Sequence, residues 1–444
     1  METLQIGGVD CNQLAEEFGT PLYIYDETKI INQAEDAVSN FTAGDSAADF
    51  KTEVVYASKA FSSTALFRLL AAAGMGLDVV SGGELYCAIK AGVDMSKVYF
   101  HGNNKSDEEI DMALEAGVGY FVIDNVMECE RLIAAAERKQ RETKALLRIN
   151  PGISAHTHEY IMTATPDSKF GVHIKDRKHI EDVIQKLSRS SFVKHSGFHS
   201  HIGSQIMGVS SFEKAIEAMI SFLAEVKREY GLDNMELSIG GGFGIRYTDE
   251  DEPVPIGEMC RALAQCAAEC AKREGIKISK LITEPGRAIV GEAGYTLYTI
   301  GDMKKSGDKN YIFVDGGMSD NIRPALYSAE YTADLIKTPQ HEAGEPFAKG
   351  SATENKKAKQ GELQKTYCVA GKNCESGDVL IKSISLPEAA SGDLLLMRST
   401  GAYGYSMANN YNRLGRPAVV FAGGGKARLI IRRETYEDQY KLEV

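Results

Sequence analysis

Lys59, in the run YASKAF (56–61), directly follows an apolar stretch of strand-forming residues. A lysine at the mouth of a packed sheet can be desolvated, which lowers its pKa and frees an amine nucleophile. The plainer reading is one surface lysine among many. The run IGGGFGI (239–245) carries consecutive glycines, but the dinucleotide fingerprint G-x-G-x-x-G fails because Ile245 stands where its third glycine belongs. Glycines after a strand let backbone N–H groups approach a phosphate, and HIGS (201–204) and EPGR (284–287) add a hydroxyl and a guanidinium. The alternative is that they only permit tight turns. Two H-x-H pairs, His199 with His201 and His156 with His158, have zinc-ligand chemistry, but no carboxylate-bearing metal signature accompanies them and no metal is expected. Glu284 precedes Arg287 by three residues. It reads either as half of a local ion pair or as a carboxylate that keeps a cationic ring nitrogen protonated.

Eight strand-like runs position these residues: VVYAS (54–58), GLDVV (76–80), KVYFH (97–101), YFVID (120–124), ALLRIN (145–150), GFHSHI (197–202), ELSIGGG (236–242) and KLITEPG (280–286). The segments between them place apolar residues at three- and four-residue steps, as in Leu66, Leu69, Leu70 and Ala73, which predicts helices. Strand–helix alternation implies a parallel sheet, and eight repeats are the number that closes a barrel. A barrel places its functional side chains just after the strands. Here those positions hold Lys59, Asp78, Ser81, His101, Asn103, Asp124, Asn150, His199, His201, Ser204, Gly240 to Gly242, Glu284 and Arg287. The spacing therefore predicts a (β/α)8 barrel over 27–287.

Beyond residue 288 the runs TLYTIGDM, NYIFVDGG, DVLIKSISL, DLLLMRS, PAVVFAGG and KARLIIRRETY are strand-like without helical periodicity. They predict an antiparallel β domain over 288–444, joined by 1–26 through PLYIYD (21–26). Residues 338–364, rich in Lys, Glu, Gly and Ala, read as an exposed excursion without chemistry.

Sixty-two acidic against 50 basic side chains in 444 residues give a net charge of −12, which disfavours a nucleic-acid partner. Hydrophobic residues at 43% exclude wholesale disorder, and no apolar run approaches the roughly 20 residues that span a bilayer. Eight scattered cysteines do not suggest a disulfide scaffold, and the first residues lack the blocks of a secretory signal. A cytoplasmic protein with no membrane partner is expected.

From about residue 20 to 430 the chain resembles the fold-type III pyridoxal-phosphate decarboxylases. The matching motifs are YASKAF, LDVVSGGEL (77–85), NPGISAHTHEYI (150–161), SKFGV (168–172), GFHSHIGSQ (197–205), IGGGFGI, EPGR, VDGGMSDNIRPALY (314–327), CESGD (374–378) and GAYGYSMANNYN (401–412). One departure is Lys372–Asn373, where a glycine-proline pair is commoner before the cysteine.

The resemblance implies a TIM-like barrel with a second β domain, the alanine racemase-like fold, and pyridoxal 5'-phosphate as cofactor. It implies that Lys59 holds the cofactor covalently, that Glu284 pairs with its ring nitrogen, and that His201 stacks on the ring. Ser204, Gly241, Gly242, Gly286 and Arg287 are implied around the phosphate, and Tyr403 completes the cofactor site. Cys374 corresponds to the proton donor and Glu375 to a contact with the substrate's amino end. Arg323 and Tyr327, with Arg287, correspond to the groups that bind the substrate's retained carboxylate. An interdomain ion pair is the plain alternative for Arg323, and a buried structural thiol the plain alternative for Cys374. The implied catalytic unit is a homodimer, with the CESGD loop reaching the partner subunit's site. The implied reaction is decarboxylation of an amino acid, meso-2,6-diaminopimelate, to L-lysine. The rivals are ornithine, arginine or a D-lysine-like substrate, a racemase on similar architecture, and a catalytically dead regulatory decoy, which the presence of both Lys59 and Cys374 disfavours.

Overall fold

The computed structural model describes residues 4–45, 50–153, 168–338 and 364–444. His156, His158 and all but the ends of the 338–364 excursion lie outside the described residues. Eight parallel strands form a closed ring: β1 (Lys51–Ala57), β2 (Gly76–Val79), β3 (Val98–Phe100), β4 (Tyr120–Ile123), β5 (Thr143–Asn150), β6 (Val193–Ser200), β7 (Met235–Ser238) and β8 (Ile278–Thr283). Closure is explicit in the pairing, because β8 lies beside β1 with Thr283 opposite Val54, and β6 pairs with both β5 and β7. All eight coincide with the runs read from the sequence.

The helices between strands begin where the sequence offers a cap. Ser63 accepts from the Leu66 N–H to open Thr64–Ala72, Ser81 does the same for Gly82–Ala91, and Ser106 with Glu109 forms a capping box at Asp107–Ala116. Val55, Tyr99, Tyr120, Val122, Leu146 and Ile282, from five of the strands, pack into one buried cluster. Near the strands' amino ends Lys280 donates to Glu53 at 2.7 Å and to the Tyr120 hydroxyl at 2.7 Å, a polar layer that leaves chemistry to the other end. There, Lys105 is buried against Glu128 and donates to the carbonyls of Gly102 and Val122, tying the loops after β3 and β4 together.

The second sheet has nine strands. Seven lie in the order Val379–Pro387, Gln364–Ala370, Lys309–Val314, Gly294–Ser306, Leu22–Asp26, Ala418–Gly423, Lys426–Ile431; Leu394–Met397 pairs with Gly294–Ser306 and with Ala333–Ile336. It is mixed rather than wholly antiparallel. Leu22–Asp26 runs parallel to Ala418–Gly423, and Lys309–Val314 parallel to Gln364–Ala370. The physical reason is connectivity: a short hairpin forces antiparallel pairing, whereas neither of these pairs is joined by one. Two strands, Ala333–Ile336 and Gln364–Ala370, are additions to the sequence reading. The first is short and carries Ala and Asp; the second abuts the charged excursion. The core beneath this sheet gathers Leu14, Leu22, Ile24, Leu297, Leu396 and Val420.

By contact density Met1–Ile30, Arg246–Asp251 and Val290–Val444 make one compact unit, and Ile31–Ile245 with Glu252–Ile289 make the other. Among the described residues no helix is long and apolar enough to cross a membrane.

Candidate active site

In the barrel unit, β1 delivers Lys59 onto a single 3-10 turn, Ser58–Ala60. The turn is held from both sides. Ala57 N–H donates to the Pro285 carbonyl at 3.2 Å, and the Tyr56 hydroxyl donates to the Phe61 carbonyl at 3.0 Å. Gly286 lies against it, since a Cβ there would sit 3.0 Å from Ala57. The Lys59 side chain itself is exposed. Its charge nevertheless reaches Asp78, Glu84, His199 and His201, so it stands at the open mouth of the barrel rather than desolvated within it.

The loops after β6, β7 and β8 interleave. Ile206 N–H donates to the Gly242 carbonyl at 3.0 Å and Glu284 N–H to the Gly240 carbonyl at 2.9 Å. Gly242 has φ +115°, and a Cβ there would fall 2.0 Å from the Gly203 carbonyl oxygen, so no other residue fits. A Cβ on Gly241 would lie equally close to the Glu284 carbonyl oxygen. Arg287, almost fully buried, donates to the Ser204 hydroxyl at 3.0 Å. The structure thus brings Ser204, Gly241, Gly242, Gly286 and Arg287 into one donor-rich loop cluster. The guanidinium engages the Ser204 hydroxyl, across the cluster from its own loop.

Glu284 faces the barrel mouth. Its carboxylate accepts from the Ser238 hydroxyl at 2.7 Å and lies 3.0 Å from His199 Nε2 and 3.6 Å from His101 Nε2. Burial alone would raise this carboxyl, but His199 and His101 outweigh it and hold it well below the usual range. His201 is pushed well below the ordinary imidazole value, by burial first and then by the charges of Lys59 and Arg148, so its ring is neutral. Asp78 moves the other way, up to about 6, because burial outweighs His101 and Lys59. The ligand atoms of His101, His199 and Glu284 all lie within 4.8 Å of one another, a spacing that could also take a metal ion.

Other polar residues at the strand ends do local work. Ser81 caps a helix, Asp124 accepts from Gly171 N–H at 2.8 Å, and Asn150 accepts from Gly152 N–H at 2.9 Å. His101, His199, Asp78 and Ser238 form the cluster that sequence reasoning did not assemble. Their positions at strand ends were visible; their convergence on one carboxylate was not.

In the β unit, Arg323 opens the short helix Arg323–Tyr327. It is buried, its Nε donates to the Tyr331 hydroxyl at 3.0 Å, and its guanidinium lies over the rings of Tyr247, Tyr327 and Tyr403 at 5.9, 5.5 and 5.5 Å. Among the described residues of its own unit no carboxylate lies within ion-pair distance of Arg323. A planar guanidinium held this way has the donor geometry that suits a carboxylate. Tyr403 holds φ +61°, an uncommon conformation for a bulky residue, and that strained backbone carries the ring to the guanidinium.

Cys374 is exposed rather than a buried structural thiol. Its loop is anchored behind it by Asp378, which accepts from Met318 N–H and Asn373 N–H at 2.7 Å each. The Asn373 amide donates to the same carboxylate at 3.0 Å, so the residue that departs from the commoner motif serves as a buried brace. In front, Cys374 N–H donates to Asn412 at 2.7 Å, and the Tyr411 hydroxyl reaches the Cys374 carbonyl and Glu375 at 3.4 and 3.5 Å.

Residues 27–291 match the family described as pyridoxal-dependent decarboxylase, pyridoxal binding domain. The chain is 46% identical over 442 residues to diaminopimelate decarboxylase of Bacillus subtilis (strain 168), covering 99% of this chain and 95% of that protein. It is 44% identical over 442 residues to the protein of the same name from Halalkalibacterium halodurans, again over 99% and 95%. Among solved structures, diaminopimelate decarboxylase of M. jannaschii in complex with L-lysine superposes with a TM-score of 0.87 at 32% identity, over 100% of this chain and 98% of that one.

Proposed function

The chain belongs to the pyridoxal-dependent decarboxylases, and we infer that it converts meso-2,6-diaminopimelate to L-lysine and carbon dioxide, the last step of lysine biosynthesis. Its cofactor is pyridoxal 5'-phosphate, and the residues present suit it. The glycine cradle with Ser204 and Arg287 offers backbone N–H groups, a hydroxyl and a cation to a phosphate, and Glu284 offers an anion to a ring nitrogen. When bound, the cofactor supplies an electron sink for the pair left as carbon dioxide departs.

The roles of the individual residues extend that reading. Lys59 is the amine that holds the cofactor covalently. Ser204, Gly241, Gly242, Gly286 and Arg287 bind its phosphate, His201 holds the ring, Glu284 keeps the ring nitrogen protonated, and Tyr403 completes the site. Arg323 and Tyr327, helped by Arg287, bind the carboxylate the product keeps, while Glu375 contacts the amino end. The observation that carries the substrate is the Arg323 guanidinium, buried without an anionic partner among the described residues; a diamine precursor with one carboxylate gives it nothing to bind.

Cys374 donates the proton that replaces the lost carboxylate at carbon. Its exposure suits a loop that serves the site of a partner subunit, and we place the chain in a homodimer on that basis. Activity per chain is then expected to fall on dilution in step with dissociation measured by sedimentation. Constant specific activity of a demonstrated monomer removes the shared site. Cysteines free of disulfides suit a reducing cytoplasm.

Turnover of meso-diaminopimelate by the cofactor-loaded protein, read as lysine formed and carbon dioxide released, tests the assignment. Release from ornithine or arginine alone reverses the choice of substrate, and a product that keeps its carboxylate by mass spectrometry indicates a racemase. In the same assay Cys374→Ala is expected to lower kcat about a hundredfold with little change in KM, the low end for loss of a proton-transfer group.

A further inference from the structure

Side chains from three parts of the barrel close on the Glu284 carboxylate. Ser238, ending β7, donates to one oxygen at 2.7 Å, and His199, on β6, meets the other through Nε2 at 3.0 Å. His101, just past β3, packs edge-on to the His199 ring with centroids 4.9 Å apart, and its Nε2 lies 3.6 Å from Glu284 and 3.9 Å from Asp78 on β2. His101, His199 and Glu284 are all buried. Lys59, His201, Arg148 and Glu84 are further charged or titratable groups whose charge reaches this cluster.

The orphaned atom decides the tautomer. His199 Nδ1 is buried and has no hydrogen-bond partner among the described residues, so a proton there would be left unsatisfied. The single proton therefore sits on Nε2, the ring is neutral, and Nε2–H donates to Glu284. Burial pushes the His199 imidazole down, in agreement. The negative charge stays on Glu284. A carboxylate fixed at both oxygens cannot rotate away or take up a proton without breaking a contact.

We propose that His199 and His101 are positioning residues for Glu284: His199 fixes its orientation through the 3.0 Å contact, and His101, whose Nε2 makes no hydrogen bond among the described residues, supports it by packing on the His199 ring. Together they keep it an anion and so set the protonation of a cofactor ring nitrogen held against it. The inference rests on the cofactor reading above and extends it to residues outside the cofactor contacts.

The test compares His199→Leu, which deletes the donor, with His199→Gln, whose amide N–H can restore it. Pyridoxal phosphate affinity, the pH dependence of the bound cofactor's visible absorbance, and kcat and KM are measured for each. In the unaltered protein the band is expected to stay constant from about pH 6 to 9. His199→Leu is expected to weaken cofactor binding about tenfold or more, the lower end for a hydrogen bond to a charged group, and to make the band titrate within that range. His199→Gln is expected to recover most of both, and kcat to suffer more than KM. His101→Leu, which leaves the 3.0 Å contact in place, shifts the same readouts by less and carries the test if His199→Leu does not fold. Unaltered affinity and a flat pH profile in the leucine variants overturn the proposal, as does a glutamine variant no better than leucine. If the unaltered protein takes up no pyridoxal phosphate, the cofactor reading itself has failed.

Discussion

Lys59→Ala is expected to fold normally, to show no stable visible band with pyridoxal phosphate, and to lose about a thousandfold or more of its turnover on meso-diaminopimelate. The size follows from removing a covalent nucleophile, whose loss is not recovered by the groups around it. Folding should survive because the side chain is exposed and the turn that carries it is pinned by the Ala57 N–H to the Pro285 carbonyl and by the Tyr56 hydroxyl to the Phe61 carbonyl, rather than by the lysine. The loss therefore reports chemistry, not collapse. Removing this cation also removes one of the contributions that offset burial at Asp78 and Glu84, so both carboxyls, already raised, should rise further. Borohydride reduction of the cofactor-loaded protein, followed by peptide mapping, checks the attachment directly. A label at another residue ends the assignment of Lys59.

Arg323→Ala should raise KM for meso-diaminopimelate steeply, lowering kcat/KM by about 30-fold to several thousandfold. That span converts the roughly 2–5 kcal/mol lost when one partner of a buried charge pair is deleted. The substrate's retained carboxylate would then lose the guanidinium that Tyr247, Tyr327, Tyr331 and Tyr403 surround, the principal cation assigned to it. Arg323→Lys should rescue little. An ammonium lacks the planar fork that can donate to Tyr331 through Nε and still present a flat pair of donors to a carboxylate. Ornithine is the internal control: any residual activity on it should change far less, since it has no second carboxylate. A KM for meso-diaminopimelate that stays put would show that the retained carboxylate is bound elsewhere.

Much of the barrel was legible because its signal is local. Eight short runs of β-branched and aromatic residues separated by amphipathic helices define parallel strands wherever they occur, and the polar residue after each run marks the working end. Lys59, the glycine run, Ser204, Glu284 and Arg287 could be singled out that way. The β domain was harder. Ala333–Ile336 is too short and too polar to stand out, and Gln364–Ala370 begins where a charged stretch ends. Nothing in either run announces its partner. Pairing direction in that sheet depends on which distant segment arrives beside each strand, so two parallel pairs went unread.

The same division runs through the chemistry. Residue types and their order pointed to the fold class, and the resemblance carried by ten ordered motifs implied the cofactor and the reaction, because those motifs are contiguous in the chain. Tertiary structure alone decided that Lys59 is exposed at the barrel mouth and that Glu284 meets two histidines. It alone drew Tyr247, Tyr327, Tyr331 and Tyr403 around one guanidinium. Those outcomes are set by distances and burial between residues far apart in the chain, and ionisation follows distance and burial, which no local pattern records.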